Sequence, residues 1–191
     1  TWRRSSGQRR ELSWPELRRQ VASLALHLQD QGVKPGDRVA AYLPNIPETM
    51  VAFLAVVSIG GVWSVCAPDM GTNAVLDRFR QIEPVALIAC DGVTYGGKDF
   101  DRLGVVAELR AALPTVRHVV LHTNLAQDPA EVDRALETAQ PCAAFSTAVA
   151  RADATVAAFE PLWLPFDHPL WIVYSSGTTG PVSYTHLRAH E

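Results

Sequence analysis

The sequence predicts an α/β protein whose sheet is mostly parallel and carries helices on both faces. Amphipathic segments alternate along the chain with short segments that are apolar throughout, and strands of the second kind are typical of parallel sheets covered on both faces. The chain has 191 residues, of which 48% are hydrophobic and 19% are charged. This composition is enough for a sizeable core.

The amphipathic segments predict helices whose starts can be identified. Ser13 and Glu16 fit a capping box, in which Ser13 caps the first helix and Glu16 reaches back to it, and Gly32 ends that helix. The second helix is predicted to start at Pro47 and the fourth at Asp99, and Thr72 is predicted to cap the third. A fifth helix is predicted from Pro129 to Ala139.

The segments that are apolar throughout predict the strands. Each is four to six residues long and is flanked at both ends by a predicted turn or helix. The predicted strands are residues 38–43, 62–65, 85–89, 118–121 and 170–174.

Composition divides the chain into four parts. Residues 1–122 read as a first α/β subdomain. Residues 123–168 are rich in Ala and Pro, and read as an irregular connection or insertion. Residues 169–180 read as a strand with a glycine-rich loop, and residues 181–191 form a separate tail.

Charge and hydropathy argue against two classes of partner. The net charge of −3 gives no basic footprint for nucleic acid. The longest apolar stretch, residues 50–65, is interrupted by serine and glycine and is too short to span a bilayer.

The cysteines and histidines give no metal site. Cys66, Cys90 and Cys142 are odd in number and widely spaced, which fits neither a disulfide framework nor a zinc site. A reducing, cytoplasmic setting is the simplest inference. The histidines are read as structural side chains and not as a metal set: His27, His118 and His122.

The segment Trp171–Gly180, WIVYSSGTTG, is the strongest candidate for a site. An apolar strand runs directly into six residues that are all Ser, Thr or Gly. Ligands of open parallel sheets bind beyond the carboxyl ends of strands, and glycine-rich backbone with free N–H groups suits phosphate. A flexible Ser/Thr/Gly linker is the alternative, and the pattern is not a Walker A loop.

The heptapeptide Tyr174–Gly180, YSSGTTG, resembles the phosphate loop of the AMP-forming acyl-CoA synthetases, the adenylating superfamily. Residues 36–48 and 60–65 are similar to its early strands and helix. Four further segments resemble the acetoacetate-activating branch of that superfamily: residues 66–71, 77–84, 91–98 and 164–171. The resemblance implies the N-terminal part of the superfamily's large domain, with residues 1–122 as the first subdomain of its AMP-binding domain.

The resemblance implies an ATP-dependent ligase reaction. Acetoacetate attacks MgATP to give an acyl-adenylate and pyrophosphate, and coenzyme A then displaces AMP. By position, the β- and γ-phosphates would be held by Ser175, Ser176, Gly177, Thr178, Thr179 and Gly180. Lys98 would meet a coenzyme A phosphate, with a solvated lysine as its alternative, and Ala67, Pro68 and Asp69 would lie on the coenzyme A side.

The sequence departs from the superfamily after Gly180, where Pro181 and Val182 stand in place of a segment that ends in Pro-Lys. We expect residue 1 to be internal to a longer protein and residues 181–191 to be a non-native tail. The superfamily's later segments, which carry its catalytic lysine, do not match this chain. We therefore expect no catalytic residue in it, no turnover, and an exposed apolar edge beside Tyr174.

Three alternatives stay open at this point. The substrate could be acetate, propionate or another short acid. The chain could be a nucleotide-binding module without chemistry. It could also be a plain doubly wound domain whose polar end is a linker.

Overall fold

The computed structural model describes the backbone of residues 2–3, 9–174 and 184–188, and the side chains of residues 10–174. The described strands form one large sheet and two small two-stranded sheets. In chain order they are β1 (Trp2–Arg3), β2 (Arg9–Arg10), β3 (Arg38–Tyr42), β4 (Val62–Cys66), β5 (Ala86–Cys90), β6 (Gly92–Tyr95), β7 (Lys98–Asp101), β8 (His118–His122), β9 (Ala143–Ala144), β10 (Pro169–Tyr174) and β11 (Tyr184–Arg188).

Helices cover both faces of the large sheet, as the sequence predicts. On one face lie α1, α2 and α6, and on the other lie α3, α4 and α5. The described helices are α1 (Trp14–Asp30), α2 (Pro47–Ser58), α3 (Thr72–Ile82), α4 (Leu103–Ala112), α5 (Pro129–Thr138), α6 (Phe145–Ala148) and α7 (Ala154–Ala157).

The large sheet has the strand order β11-β10-β4-β3-β5-β8-β9. Every neighbouring pair from β10 to β9 is parallel, and β11 alone runs antiparallel, against β10. The predicted fold class, a mostly parallel sheet with helices on both faces, is therefore confirmed.

The central strand β3 shows why its residues 39–42 are all hydrophobic. Val39 and Ala41 belong to the core on the side of α1 and α2, whereas Ala40 and Tyr42 belong to the core on the side of α3 and α4. Successive side chains of a strand point to opposite faces. Because both faces are covered, all four side chains are fully buried.

Helix α1 begins as predicted, with one correction. Ser13 is its N-cap, and the Ser13 Oγ accepts a hydrogen bond from the Glu16 amide over 3.3 Å. The predicted return bond from the Glu16 side chain is wrong. That carboxylate accepts from Arg19 Nε at 2.9 Å and from Gln20 Nε2 at 2.7 Å instead, since both residues lie one turn further along the helix.

Two other helix starts differ from the sequence prediction. The N-cap of α3 is Gly71, and Thr72 is the first helical residue, with no side-chain capping bond. Helix α4 begins at Leu103 and not at Asp99, which lies in β7.

The reason for the second difference is a hairpin that the sequence reading missed. Gly96 and Gly97 have φ angles of +58° and +76°, and Tyr95 pairs with Lys98 across them. Two consecutive positive φ angles form the tight turn that matches the twist of paired strands. The chain therefore folds back after β6, and Asp99 pairs with Thr94 before α4 can begin.

Strand β10 is not the exposed edge that the sequence led us to expect. Strand β11 pairs along its outer side, and Tyr174 lies opposite Tyr184 in the register. An edge strand presents unpaired backbone groups that readily bind another strand. In this chain β11 takes that position, so the expectation of an open edge beside Tyr174 is wrong.

The chain between β8 and β10 contains short elements. The predicted fifth helix is confirmed as α5, with its N-cap at Asp128. Strand β9 extends the large sheet beside β8. Helix α6 packs on the core beside α1, and Ser23 of α1 donates to the Ala148 carbonyl over 2.8 Å.

Candidate functional site

The carboxyl ends of the parallel strands lie at one edge of the large sheet. The order β4-β3-β5-β8-β9 is a doubly wound order in which the chain reverses its direction of growth at β3 and β5. Ligands of such sheets bind beyond the carboxyl ends, near the reversal. The candidate site therefore consists of the segments that leave β10, β4, β3 and β5 at this edge.

The predicted phosphate loop lies outside the described residues. Its first residue, Ser175, follows Tyr174 directly in the chain, and Tyr174 is the last residue of β10. The predicted phosphate-binding residues in that loop are Ser175, Ser176, Gly177, Thr178, Thr179 and Gly180.

The segment Ala67–Asp69 leaves β4, the strand beside β10. Ala67 and Asp69 are exposed, whereas Pro68 is buried. The Pro68 carbonyl accepts two hydrogen bonds, from Tyr42 Oη over 2.9 Å and from Arg102 Nε over 2.7 Å. Two donors from different elements thus fix the position of this segment.

Tyr42 is suited to this position because it stays protonated. The phenol lies at the end of the central strand and is fully buried. Burial, the largest cause, raises the pKa of Tyr42 to about 12, since a charged phenolate would lose its hydration. The Oη therefore donates to Pro68 at any pH at which the protein would be assayed.

Lys98 lies at the tip of the hairpin, and Arg102 lies at its base. Lys98 is exposed, at the start of β7. Three residues, Asp99–Asp101, separate it from Arg102, and four residue steps of extended strand span about 13 Å. The structure therefore brings the segment Ala67–Asp69 to the base of the hairpin, through Arg102 and Pro68, and leaves Lys98 at its far end.

Asp91 fixes the base of the same hairpin. Its buried carboxylate, 3% exposed, accepts from the amides of Asn124 at 2.7 Å, Leu125 at 3.0 Å and Ala126 at 2.8 Å. The Asp91 carbonyl accepts from the Arg102 amide over 2.6 Å. Backbone amides satisfy a buried carboxylate well, so Asp91 joins the ends of β5 and β8.

The end of β10 is fixed to α3 and β4 by Tyr174. The Tyr174 Oη donates to the Arg78 carbonyl over 3.2 Å and lies 3.3 Å from Ser64 Oγ. The Arg78 guanidinium lies 5.5 Å from the centre of the Tyr174 ring, within reach of a cation–π interaction. The phosphate-loop segment therefore leaves the sheet from a defined point.

The sequence reading missed Tyr42, Asp91, Arg102 and Arg78. Asp91 carried a usable signal, because a carboxylate directly after an apolar strand is costly unless it is bound. Arg102 and Arg78 carried none, since arginines on exposed segments are ordinary.

The described side chains form no metal centre. Among residues 10–174, no group of three or more His, Cys, Asp or Glu side chains is placed to hold a metal ion. The three cysteines are free thiols. Within the described part of the chain, none of the helices has both the length and the apolar character needed to cross a membrane.

The fold and the position of this edge define a doubly wound α/β domain with its candidate site at the carboxyl ends of the strands. The sequence model of the family "AMP-binding enzyme" matches residues 2–182. The chain belongs to the AMP-binding enzyme family.

Named relatives within that family are synthetases. The acetoacetyl-coenzyme A synthetase of Rhizobium meliloti (strain 1021) is 43% identical over 169 residues, which are 88% of this chain and 25% of the relative. The acetoacetyl-CoA synthetase of Xenopus tropicalis is 39% identical over 171 residues, 89% of this chain and 25% of the relative. A malonamoyl-CoA synthetase of Penicillium aethiopicum is 33% identical over 175 residues, 92% of this chain and 24% of the relative.

A solved structure agrees with these sequence relatives. The acetoacetyl-CoA synthetase from Streptomyces lividans superposes with a TM-score of 0.82 at 47% sequence identity, covering 93% of this chain and 25% of that one. The chain therefore spans about a quarter of the length of the proteins that it matches.

Proposed function

We propose that this chain carries the phosphate loop and part of the coenzyme A site of an ATP-dependent acetoacetate–CoA ligase. One observation carries the proposal: β10 and β4 are adjacent and parallel, so the segments that follow them, Ser175–Gly180 and Ala67–Asp69, start from the same edge of the sheet. The similarity to acetoacetyl-CoA synthetases supplies the chemistry.

The reaction has two steps. A carboxylate oxygen of acetoacetate attacks the α-phosphorus of ATP, and pyrophosphate leaves with the electrons of the broken P–O bond. The thiol of coenzyme A then loses its proton and attacks the acyl carbon, and AMP leaves. The protein contributes mainly positioning and charge stabilisation. Mg²⁺ would arrive bound to ATP, and the roles proposed for the described residues do not depend on it.

In this proposal the loop after β10 holds the β- and γ-phosphates with backbone amides and hydroxyls. Its residues are Ser175, Ser176, Gly177, Thr178, Thr179 and Gly180. Ala67, Pro68 and Asp69 line the coenzyme A side, and Lys98 meets a coenzyme A phosphate from the hairpin tip. The free thiols of Cys66, Cys90 and Cys142 favour a reducing cytoplasm.

The identity of the acid has a second candidate. One relative is named a malonamoyl-CoA synthetase, which indicates that related synthetases act on more than one short acid with a carbonyl at C3. A comparison of acetoacetate, malonamate, acetate and propionate in ATP–pyrophosphate exchange by the full-length protein decides among them. Exchange with acetoacetate at least about tenfold above the other acids supports the proposal, since that ratio reflects about 1.4 kcal/mol of discrimination.

The phosphate loop is tested in the 191-residue chain itself. We expect ATP to raise the melting temperature of the chain and Thr178→Val to reduce that rise. Thr147→Val, at an exposed position on α6, is the matched control and should leave the rise unchanged. ATP binding without any exchange in the full-length protein would favour a nucleotide-binding module without chemistry. No effect of ATP on the chain would favour the linker reading of the loop.

A further inference from the structure

A cleft lies between β4 and β10 at their carboxyl ends. The two strands are paired at one position, Trp63 with Trp171, whereas β4 pairs with β3 along its whole length. Beyond that position, Ser64 Oγ lies 3.2 Å from the Ile172 carbonyl oxygen and 3.3 Å from Tyr174 Oη. The cleft that opens there has a volume of about 260 Å³, and its lining includes Val65, Cys66, Met70, Arg78, Val173 and Tyr174.

Arg78 is the charged residue of this lining. Its Nη1 donates to the Ala74 carbonyl over 3.1 Å and lies 3.9 Å from Met70 Sδ. Among residues 10–174, Arg78 is not part of an ion pair. The arginines that form ion pairs there are Arg10, Arg18, Arg19, Arg117 and Arg151. A half-buried guanidinium that pairs with no carboxylate of residues 10–174 therefore lies in the cleft.

The neighbouring groups do not neutralise this charge. Cys66 is buried at the end of β4, and burial raises the pKa of its thiol to about 11, so it carries no charge at neutral pH. The walls that Val65, Met70 and Val173 contribute are apolar. The guanidinium contacts the Ala74 carbonyl and the Tyr174 ring, and neither group is a carboxylate. Its positive charge can therefore attract an anion.

The size and chemistry of the cleft suit a phosphate group. A drug-sized ligand needs roughly 300–1,000 Å³, so a cleft of 260 Å³ suits one part of a larger molecule. A guanidinium presents paired N–H donors that match phosphate oxygens. A phosphate is common to ATP and coenzyme A, the two nucleotides of the proposed reaction.

We propose that Arg78 binds a phosphate group of a nucleotide substrate in the cleft between β4 and β10. The choice of ATP or coenzyme A as the ligand rests on the proposed function, whereas the presence of an anion site rests on the cleft and Arg78 alone. Arg78 would thus add a positive charge beside the strand that leads into the phosphate loop.

The test is calorimetric titration of the 191-residue chain with ATP, coenzyme A, 3′-dephospho-coenzyme A and pyrophosphate. Arg78→Gln should weaken binding about tenfold or more, because a charged hydrogen bond is lost, and Arg78→Lys should weaken it less. Arg80→Gln, an exposed arginine two residues along α3, is the matched control and should change binding less than about twofold.

The ligands separate the two sources of the phosphate. If Arg78→Gln weakens ATP and pyrophosphate alone, the group belongs to ATP. If it weakens coenzyme A but leaves the weaker binding of 3′-dephospho-coenzyme A unchanged, the group is the 3′-phosphate. Either result supports the proposal. Equal binding by Arg78→Gln and the unmodified chain overturns it, as does an unmodified chain that binds none of the four ligands.

Two further readouts complete the test. Circular dichroism checks that Arg78→Gln folds; if it does not, Arg78→Lys carries the test, and unchanged affinity for every ligand in that folded variant overturns the proposal. Arg78-dependent binding together with a full-length protein that fails to activate any acid would keep the anion site and reject the ligase. Ligase activity together with nucleotide binding that does not depend on Arg78 would keep the ligase and reject the anion site.

Discussion

Arg102 and Pro68 are joined by a hydrogen bond of 2.7 Å from the guanidinium Nε to the backbone carbonyl, although 34 residues separate them in the chain. Tyr42 donates to the same oxygen. This carbonyl therefore connects the central strand, the segment after β4 and the base of the hairpin.

We expect Tyr42→Phe and Arg102→Gln each to reduce the free energy of unfolding by about 1 kcal/mol, the usual net worth of one hydrogen bond. The double variant should lose more than the sum, because it alone leaves the buried carbonyl without a donor. Urea denaturation of the two single variants and the double variant measures this. Strictly additive losses would show that the two donors act independently.

Gly92, the first residue of β6, has no room for a side chain. A Cβ built there would lie 2.4 Å from Leu125 Cδ1 and 2.4 Å from the Phe100 carbonyl oxygen. We expect Gly92→Ala to lower the free energy of unfolding by about 2–3 kcal/mol through overpacking.

The matched control for that substitution is Gly104→Ala. Gly104 lies in α4, and a Cβ there meets nothing within 4 Å. Alanine should stabilise the helix by about 0.5–1 kcal/mol. Thermal melts of both variants compare the two effects, and equal stability of Gly92→Ala and the unmodified chain would contradict the packing described here.

Asp91 should be sensitive to loss of its charge. Asp91→Asn keeps the shape of the side chain but replaces one acceptor by a donor that faces backbone amides. We expect a loss on the order of 2 kcal/mol. Asp133→Asn, exposed on α5, should change stability by less than about 0.5 kcal/mol, and an equally small change for Asp91→Asn would contradict the role given to its carboxylate.

His27 and His118 form a pair that should make stability depend on pH. Their Nε2 atoms lie 2.9 Å apart, so one neutral ring donates to the other. Burial, with a smaller contribution from His27, lowers the pKa of His118 from 6.5 to about 4. Burial also lowers the pKa of His27. The nearby Arg151 adds to this shift, whereas the nearby Asp30 opposes it.

The direction follows from linkage. In the unfolded chain both histidines bind protons as the pH falls below about 6.5, whereas in the folded pair they bind protons only at lower pH. The contribution of the neutral His27–His118 pair to the free energy of unfolding is therefore complete above pH 6.5. It is lost as the pH falls toward 4. Between pH 7 and pH 5 we expect a loss of about 1 kcal/mol, after a discount for the half-exposed rings.

Chemical denaturation at pH 7 and pH 5 measures this loss. His118→Gln should lose less stability than the unmodified chain over that interval. His168→Gln controls for the loss of a histidine elsewhere. Parallel pH profiles for His118→Gln and the unmodified chain would argue against the neutral pair.

Sequence patterns were most reliable where the cause is local. Ser13 caps α1 because its hydroxyl needs only the amide three residues ahead, and the apolar runs became strands because both faces of the sheet are covered. The Gly96–Gly97 turn is a local signal too. It was missed because the polar residues after it also resemble the first turn of a helix.

The candidate site was predictable only in part. Sequence similarity located the segments Ala67–Asp69 and Ser175–Gly180, and the structure placed the first at the base of the hairpin. Their proposed roles in binding stay predictions. Lys98 matched the family pattern by position alone, and the structure puts it at the exposed hairpin tip, far along the strand from Pro68.

The sequence by itself determined the α/β class, most helix and strand positions, and the family, because periodicity, capping residues and a contiguous motif are written within a few neighbouring positions. Only the tertiary structure decided which distant groups meet. The partners of Arg102, Asp91 and His27 lie 34, 33 and 91 residues away. No local pattern encodes such contacts, because they depend on the order in which the strands pair and on the packing of the segments that leave them.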